Sequence, residues 1–189
     1  MVRHLFLALC ISACGGSTTQ FEQVWRAPNG DVQKVVTLYE SQDGAMRRTI
    51  EDKLARKLAG QRIIAVPAHS VLGPGELHDR DGARRTLIAN GFDGVVAIHL
   101  IGTEMYPGDK VTMATWGASW PTSYEDYVFD SPVVRVETTL YSLRDDSMLW
   151  SARSKTVDAQ STNEVIEQVT SLVAATLQKQ GVAIATAQR

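Results

Sequence analysis

Residues 94–102 read Gly-Val-Val-Ala-Ile-His-Leu-Ile-Gly (GVVAIHLIG). The run does not alternate between apolar and polar positions, so a strand built from it has apolar side chains on both faces. That is the mark of a central strand covered by helices. The one interruption, His99, reads as a hydrogen-bonded core or strand-end histidine.

Upstream of this strand, Asp81 can cap a helix over Gly82 to Asn90, with Gly91 at its end. Before the helix come the loop LGPGE and a short strand, RIIAV (Arg62 to Val66), that stops at Pro67. Further back, Met46, Ile50, Leu54 and Leu58 recur every four residues, while Arg47, Arg48, Glu51, Asp52, Arg56 and Lys57 take the other faces. This spacing predicts an amphipathic helix, capped by Asp43 and stopped at Gly60. The first strand predicted is VQKVVTLY (Val32 to Tyr39), bounded by PNGD and SQDG. Strand, helix, strand, helix, strand is the order of helices packed on a sheet through crossover connections.

Downstream the character changes. Val134, Val136, Thr138 and Leu140 alternate with Arg135, Glu137, Thr139 and Tyr141, a half-exposed strand. Arg144 to Ser147 (RDDS) is turn chemistry, and Met148 to Val157 returns as the hairpin partner. Ser161 and Glu164 then form an S-x-x-E capping box, and Val165, Val169, Leu172, Val173 and Leu177 line one face of a helix that Gly181 ends. The expected fold is one α/β (α+β) domain over residues 21–181. It has a mixed sheet of about five strands and three helices, ordered βαβαβ, an aromatic loop, then ββα, with a frayed tail at 182–189.

That loop, Tyr106 to Phe129, holds six of the chain's thirteen aromatics: Tyr106, Trp116, Trp120, Tyr124, Tyr127 and Phe129. Long connections inside compact domains are usually functional, and tyrosine and tryptophan dominate binding hot spots. The loop is read as a surface for a partner or for self-association, against the alternative of a flap that packs Trp116, Ala118 and Trp120 onto the sheet.

Catalytic chemistry finds little support. GASW at Gly117 to Trp120 lacks the second glycine of a nucleophile elbow, and the glycines of LGPGE and NGFDG make no phosphate cradle, so no cofactor is expected. His69, His78, Asp79 and Asp81 cluster in sequence but match no metal-ligand spacing. Glu104, Asp109, Glu125 and Asp126 could supply the carboxylate pair of a hydrolase acting on envelope glycan or peptide, the alternative from another class.

The chain begins with a positive start (Arg3, His4), a short apolar run (Leu5 to Ile11) and small residues (Ser12, Ala13) before Cys14. The run is too short to span a bilayer and follows the secretory-signal pattern. Ile11-Ser12-Ala13-Cys14 resembles the lipobox of bacterial lipoproteins. That resemblance implies cleavage between Ala13 and Cys14 and lipid on the Cys14 thiol, which leaves 14–20 as lipidated cysteine and tether. Cys10 leaves with the leader, so no pair remains for a disulfide. In Gram-negative lipoproteins aspartate after the cysteine favours the inner membrane; Gly15 here implies the outer membrane, with the domain in the periplasm. The mature chain of 176 residues carries 18 basic and 21 acidic side chains, a balance with no pull toward nucleic acid.

RRTIEDKLARKL followed by RIIAVPAHSVL, and later ETTLYSLRDDSMLWSARS, is similar to uncharacterised small lipoproteins of Gram-negative envelopes. More distantly, the element order resembles the penicillin-binding-protein activator lipoprotein, the curli-secretion lipoprotein and the N-terminal domain of the Tol-system translocation protein. These resemblances imply a non-enzymatic binding or assembly role with an envelope protein partner. A ring-forming homo-oligomer of the secretion type is a further alternative.

Overall fold

The computed structural model describes residues 17–28, 30, 32–41, 43–59, 63–73, 75–105 and 132–180. Its centre is a six-stranded mixed sheet in the order β1-β6-β5-β4-β2-β3 with three α-helices, an α+β fold. The strands are β1 (Thr18–Arg26), β2 (Lys34–Tyr39), β3 (Ile64–Pro67), β4 (Gly94–Met105), β5 (Pro132–Ser142) and β6 (Met148–Val157). The helices are α1 (Gly44–Leu58), α2 (Arg80–Ala89) and α3 (Thr162–Gln180). Strands β3, β2 and β4 run parallel, as their helical crossovers require, and β4, β5, β6 and β1 are antiparallel.

The sixth strand is β1, and Thr18 to Gln20, expected within a tether, belong to it. Thr, Phe, Val and Trp suit a strand, and Phe21 packs edge-on against the fully buried Trp150 at 5.9 Å. Trp150 in turn pairs with Leu140 in the β5–β6 hairpin, whose Ser142 amide donates to the Ser147 carbonyl at 2.8 Å.

The helix caps show why these segments fold locally. The Asp43 carboxylate accepts from the amides of Ala45 (2.9 Å) and Met46 (3.0 Å), as the sequence predicts. For α2 the cap is Asp79, two residues before the expected Asp81, because its carboxylate accepts from the Gly82 amide at 3.0 Å while Asp81 lies inside the first turn. Gly91 ends α2 with φ of +76°, a conformation that glycine adopts without strain. At α3, Ser161 accepts from the Glu164 amide at 3.2 Å, but the Glu164 carboxylate reaches the amide of Gln160 (2.9 Å), one residue earlier than a capping box predicts.

Helices α1 and α3 share one face of the sheet. Their Ile50, Leu54, Leu58, Val165, Val169 and Val173 bury against Val96, Ile98, Val136 and Trp150. Helix α2 covers the opposite face only over β2, β3 and the start of β4, where Leu87 and Phe92 meet Val36 and Leu143. Among the described residues, GVVAIHLIG is therefore covered on both faces only at its beginning. His99 is 58 % exposed, with Nδ1 3.5 Å from the Glu40 carboxylate, and is not a core histidine.

Candidate functional site

Helix α1 carries Glu51 on the turn that faces β2 and the short 3-10 helix at Ala68–Ser70. Read as a residue of the polar face, Glu51 is instead fully buried. Its carboxylate accepts from the backbone amide of His69 at 2.9 Å and from the Tyr39 amide at 3.3 Å, and its Oε2 lies 2.8 Å from His69 Nδ1. The other ring nitrogen, Nε2, turns toward Asp52 Oδ1 at 3.5 Å. Arg47 Nε stands 3.9 Å from the other Glu51 oxygen, and the Glu51 carbonyl accepts from the Thr37 hydroxyl at 2.9 Å. A carboxylate that orients an imidazole is a component of acid–base and metal sites. Among the described residues, however, no group of three or more His, Cys, Asp or Glu is placed to hold a metal ion. The cluster braces the connection after β3 against α1 and β2, since a buried carboxylate is tolerated only when hydrogen-bonded or paired.

No signal in the sequence marks Glu51 apart from its neighbours. Its partner amide and imidazole come from a loop eighteen residues on, which only the folded crossover brings alongside. Of the residues weighed for a metal, His69 belongs to this brace, Asp79 is a helix cap and Asp81 lies in α2. Of the carboxylates weighed for hydrolysis, Glu104 pairs with Arg135, whose other neighbour is Glu22 at 3.3 Å. The Glu104 hydrogen bond raises the Arg135 guanidinium pKa above its ordinary value. Asp109, Glu125 and Asp126 lie outside the described residues, as do Ala13, Cys14, Tyr106, Trp116, Trp120, Tyr124, Tyr127 and Phe129.

An apolar cleft lies between α1, α3 and the sheet, lined by Tyr39, Ile50, Leu100, Val136, Val165 and Val169. It has about 290 Å³ of empty volume counted to its open mouth and no charged group in its lining. That volume includes open solvent; the enclosed part is about 20 Å³, room for about one water molecule and far under a small-molecule site.

The larger feature is the sheet face opposite α1 and α3. Beyond α2, the rows His99, Glu137, Arg153, Gln23 and Ala97, Thr139, Ser151, Trp25 run across β4, β5, β6 and β1. None of the apolar cluster beneath α2 comes from β5, β6 or β1. Trp25 is 47 % exposed, and Met148 and Tyr141, paired across β6 and β5, are 38 % and 36 % exposed. Among the described residues this half-face is bare, and no helix is long and apolar enough to cross a membrane.

No protein-family model matches the chain, and no curated protein sequence matches it. Among solved structures, the chain is similar to a PelC dodecamer from Paraburkholderia phytofirmans (15 % identity, 86 % of this chain and 99 % of that one, TM-score 0.49). It is also similar to lipoprotein GNA1162 from Neisseria meningitidis (17 %, 77 % and 98 %, TM-score 0.42). A third neighbour is the hypothetical protein CT253 from Chlamydia trachomatis (12 %, 68 % and 73 %, TM-score 0.39). Likeness at this level does not establish a shared role.

Proposed function

We propose that the chain is a lipid-anchored outer-membrane lipoprotein whose single domain faces the periplasm and serves as a non-enzymatic binding or assembly component of the cell envelope. The observation that carries this reading is Ile11-Ser12-Ala13-Cys14 at the end of a short apolar leader. One acyl chain holds a protein only marginally at a bilayer, and the two or three that a lipobox cysteine receives hold it stably. Purified native protein should therefore lack residues 1–13 and carry acyl mass on Cys14, and Cys14→Ala should move it to the soluble fraction. An unmodified residue 14 in the native protein sinks the proposal.

For the partner, the candidate surface is the aromatic segment at Tyr106, Trp116, Trp120, Tyr124, Tyr127 and Phe129, with the bare half-face around Trp25, Tyr141 and Met148 as a second candidate. Photo-crosslinking from positions 124 and 127 in cells should capture an envelope protein, and adding Trp116→Ser with Trp120→Ser should abolish the capture at an unchanged melting temperature. Unfolding of that variant would assign both tryptophans to packing instead.

A second copy of the chain is the other occupant supported by a specific observation. Strand β1 is a nine-residue edge strand without the proline or lysine that commonly guards an edge, and it carries exposed Val24 and Trp25. Light scattering of the acylated protein in detergent distinguishes the two, a monomer mass excluding the second copy.

A further inference from the structure

The first described residue, Ser17, is fastened to the sheet and helix. Its hydroxyl donates to the Glu164 carboxylate, and the Gln168 side-chain amide donates to the Ser17 carbonyl at 3.1 Å and to its hydroxyl at 2.5 Å. Two residues on, the Thr19 hydroxyl lies 2.6 Å from Gln168 Oε1 and 2.7 Å from the Thr156 hydroxyl. The fastened part of the chain therefore reaches back to within three residues of Cys14.

Consecutive Cα atoms are about 3.8 Å apart, so Cys14 cannot lie more than about 11 Å from Ser17. Each headgroup layer of a bilayer occupies about 5 to 8 Å of that reach. A domain tied this closely has no room to stand clear of the membrane. Ser17 sits at one end of the sheet, where Thr18 pairs with Val157, Val157 with Val133, and Val133 with Glu104, and where α3 begins. Among the described residues, the exposed ones there are Thr18, Asp158, Gln160, Ser161 and Asn163, all polar. The exposed large apolar side chains of the described residues, Val24, Trp25, Ile64, Ile88, Tyr141 and Met148, lie elsewhere.

From this geometry we infer that the end of the sheet formed by the start of β1, the end of β6 and the first turn of α3 is a bilayer-facing surface, whose partner is the phospholipid headgroup layer. The strands then rise away from the membrane, and the Lys34, Ile64 and Met148 end points toward the periplasm. The inference rests on lipidation of Cys14, and it adds a fixed orientation that lipidation alone does not give. Chain length and endpoint carry it: two glycines separate the lipid from a hydrogen-bonded residue.

The test uses the acylated full chain in vesicles of phosphatidylethanolamine and phosphatidylglycerol. Once Cys10 has left with the leader and the Cys14 thiol is acylated, a cysteine introduced by Gln160→Cys, Arg26→Cys or Ile64→Cys is the sole reactive thiol, and each takes a fluorophore in turn. With nitroxide-headgroup lipid as quencher, the label at 160 should be quenched several-fold more than labels at 26 and 64. A ten-residue Gly-Ser insert between Gly16 and Ser17 should level the three. Vesicle binding with equal quenching at 160 and 26 or 64, or a gradient that survives the insert, overturns the orientation while leaving lipidation intact. A chain without acyl mass that does not sediment with vesicles overturns both.

Discussion

Glu51 shows most sharply how a single residue changes meaning between sequence and fold. Its neighbours on α1, Arg48 and Asp52, behave as the helical pattern predicts, and Glu51 has the same composition and spacing signal as they do. Its fully buried carboxylate holds two backbone amides and an imidazole. Glu51→Ala removes one side of that set and should lower the unfolding free energy by about 3 to 5 kcal/mol, read from urea denaturation. Glu51→Gln should be milder, because its oxygen still accepts one amide while its NH₂ group opposes another donor. A second close fit is at Gly94, where an added Cβ would lie 2.8 Å from Val32 Cγ1 and 3.2 Å from the Tyr141 carbonyl oxygen. Gly94→Ala should therefore destabilise by about 1 to 3 kcal/mol through overpacking, although alanine is ordinarily the better strand residue. Trp150, whose pattern position is plainly a strand, is the largest fully buried side chain, and Trp150→Ala should lower stability by about 3 to 5 kcal/mol.

Secondary structure was legible where one local signal sufficed: the β5–β6 hairpin with its RDDS turn, the Asp43 cap, the S-x-x-E start of α3. Illegible parts depended on distant partners. Strand β1 alternates poorly, and a bulge between Phe21 and Gln23 breaks its period. Its partner β6 lies at the other end of the sequence. The elements also share an acid-sensitive feature. Glu164 is held below the usual carboxylate range by the Ser17 hydroxyl and the Gln160 amide, and Glu167 by Lys57 and Lys53. The Gly73 amide and Thr86 hydroxyl do the same for Glu76, and the hydroxyls of Ser142 and Ser147 for Asp145. Each folded pKa lies below its unfolded value, so the stabilisation is complete above the ordinary carboxylate pKa of about 4 and fades as pH falls through the lowered values. The urea midpoint should be level between about pH 7 and pH 5 and drop below about pH 4. Glu164→Gln should flatten part of that drop.

For the whole molecule, the layering follows from the alternation of elements, whereas the half-face left bare among the described residues does not, because GVVAIHLIG reads as covered on both sides. The surface should tolerate change where it is open. Val24→Lys together with Trp25→Lys should alter stability by no more than about 0.5 kcal/mol, by thermal unfolding, since both side chains are nearly half exposed. Of the candidate site, the aromatic run and Cys14 are read from the sequence and lie outside the described residues, whereas the buried brace around Glu51 carries no motif that sequence alone could show. The topology also bears on how such a chain is made. Strand β1 precedes the other five strands in the chain, yet among the described residues its neighbour in the sheet is β6, with Thr18 opposite Val157. The sheet cannot close until β6 has emerged, and pairings between distant segments form slowly. A chain exported from its N-terminus would thus remain threadable through the translocation channel until its last strand had crossed.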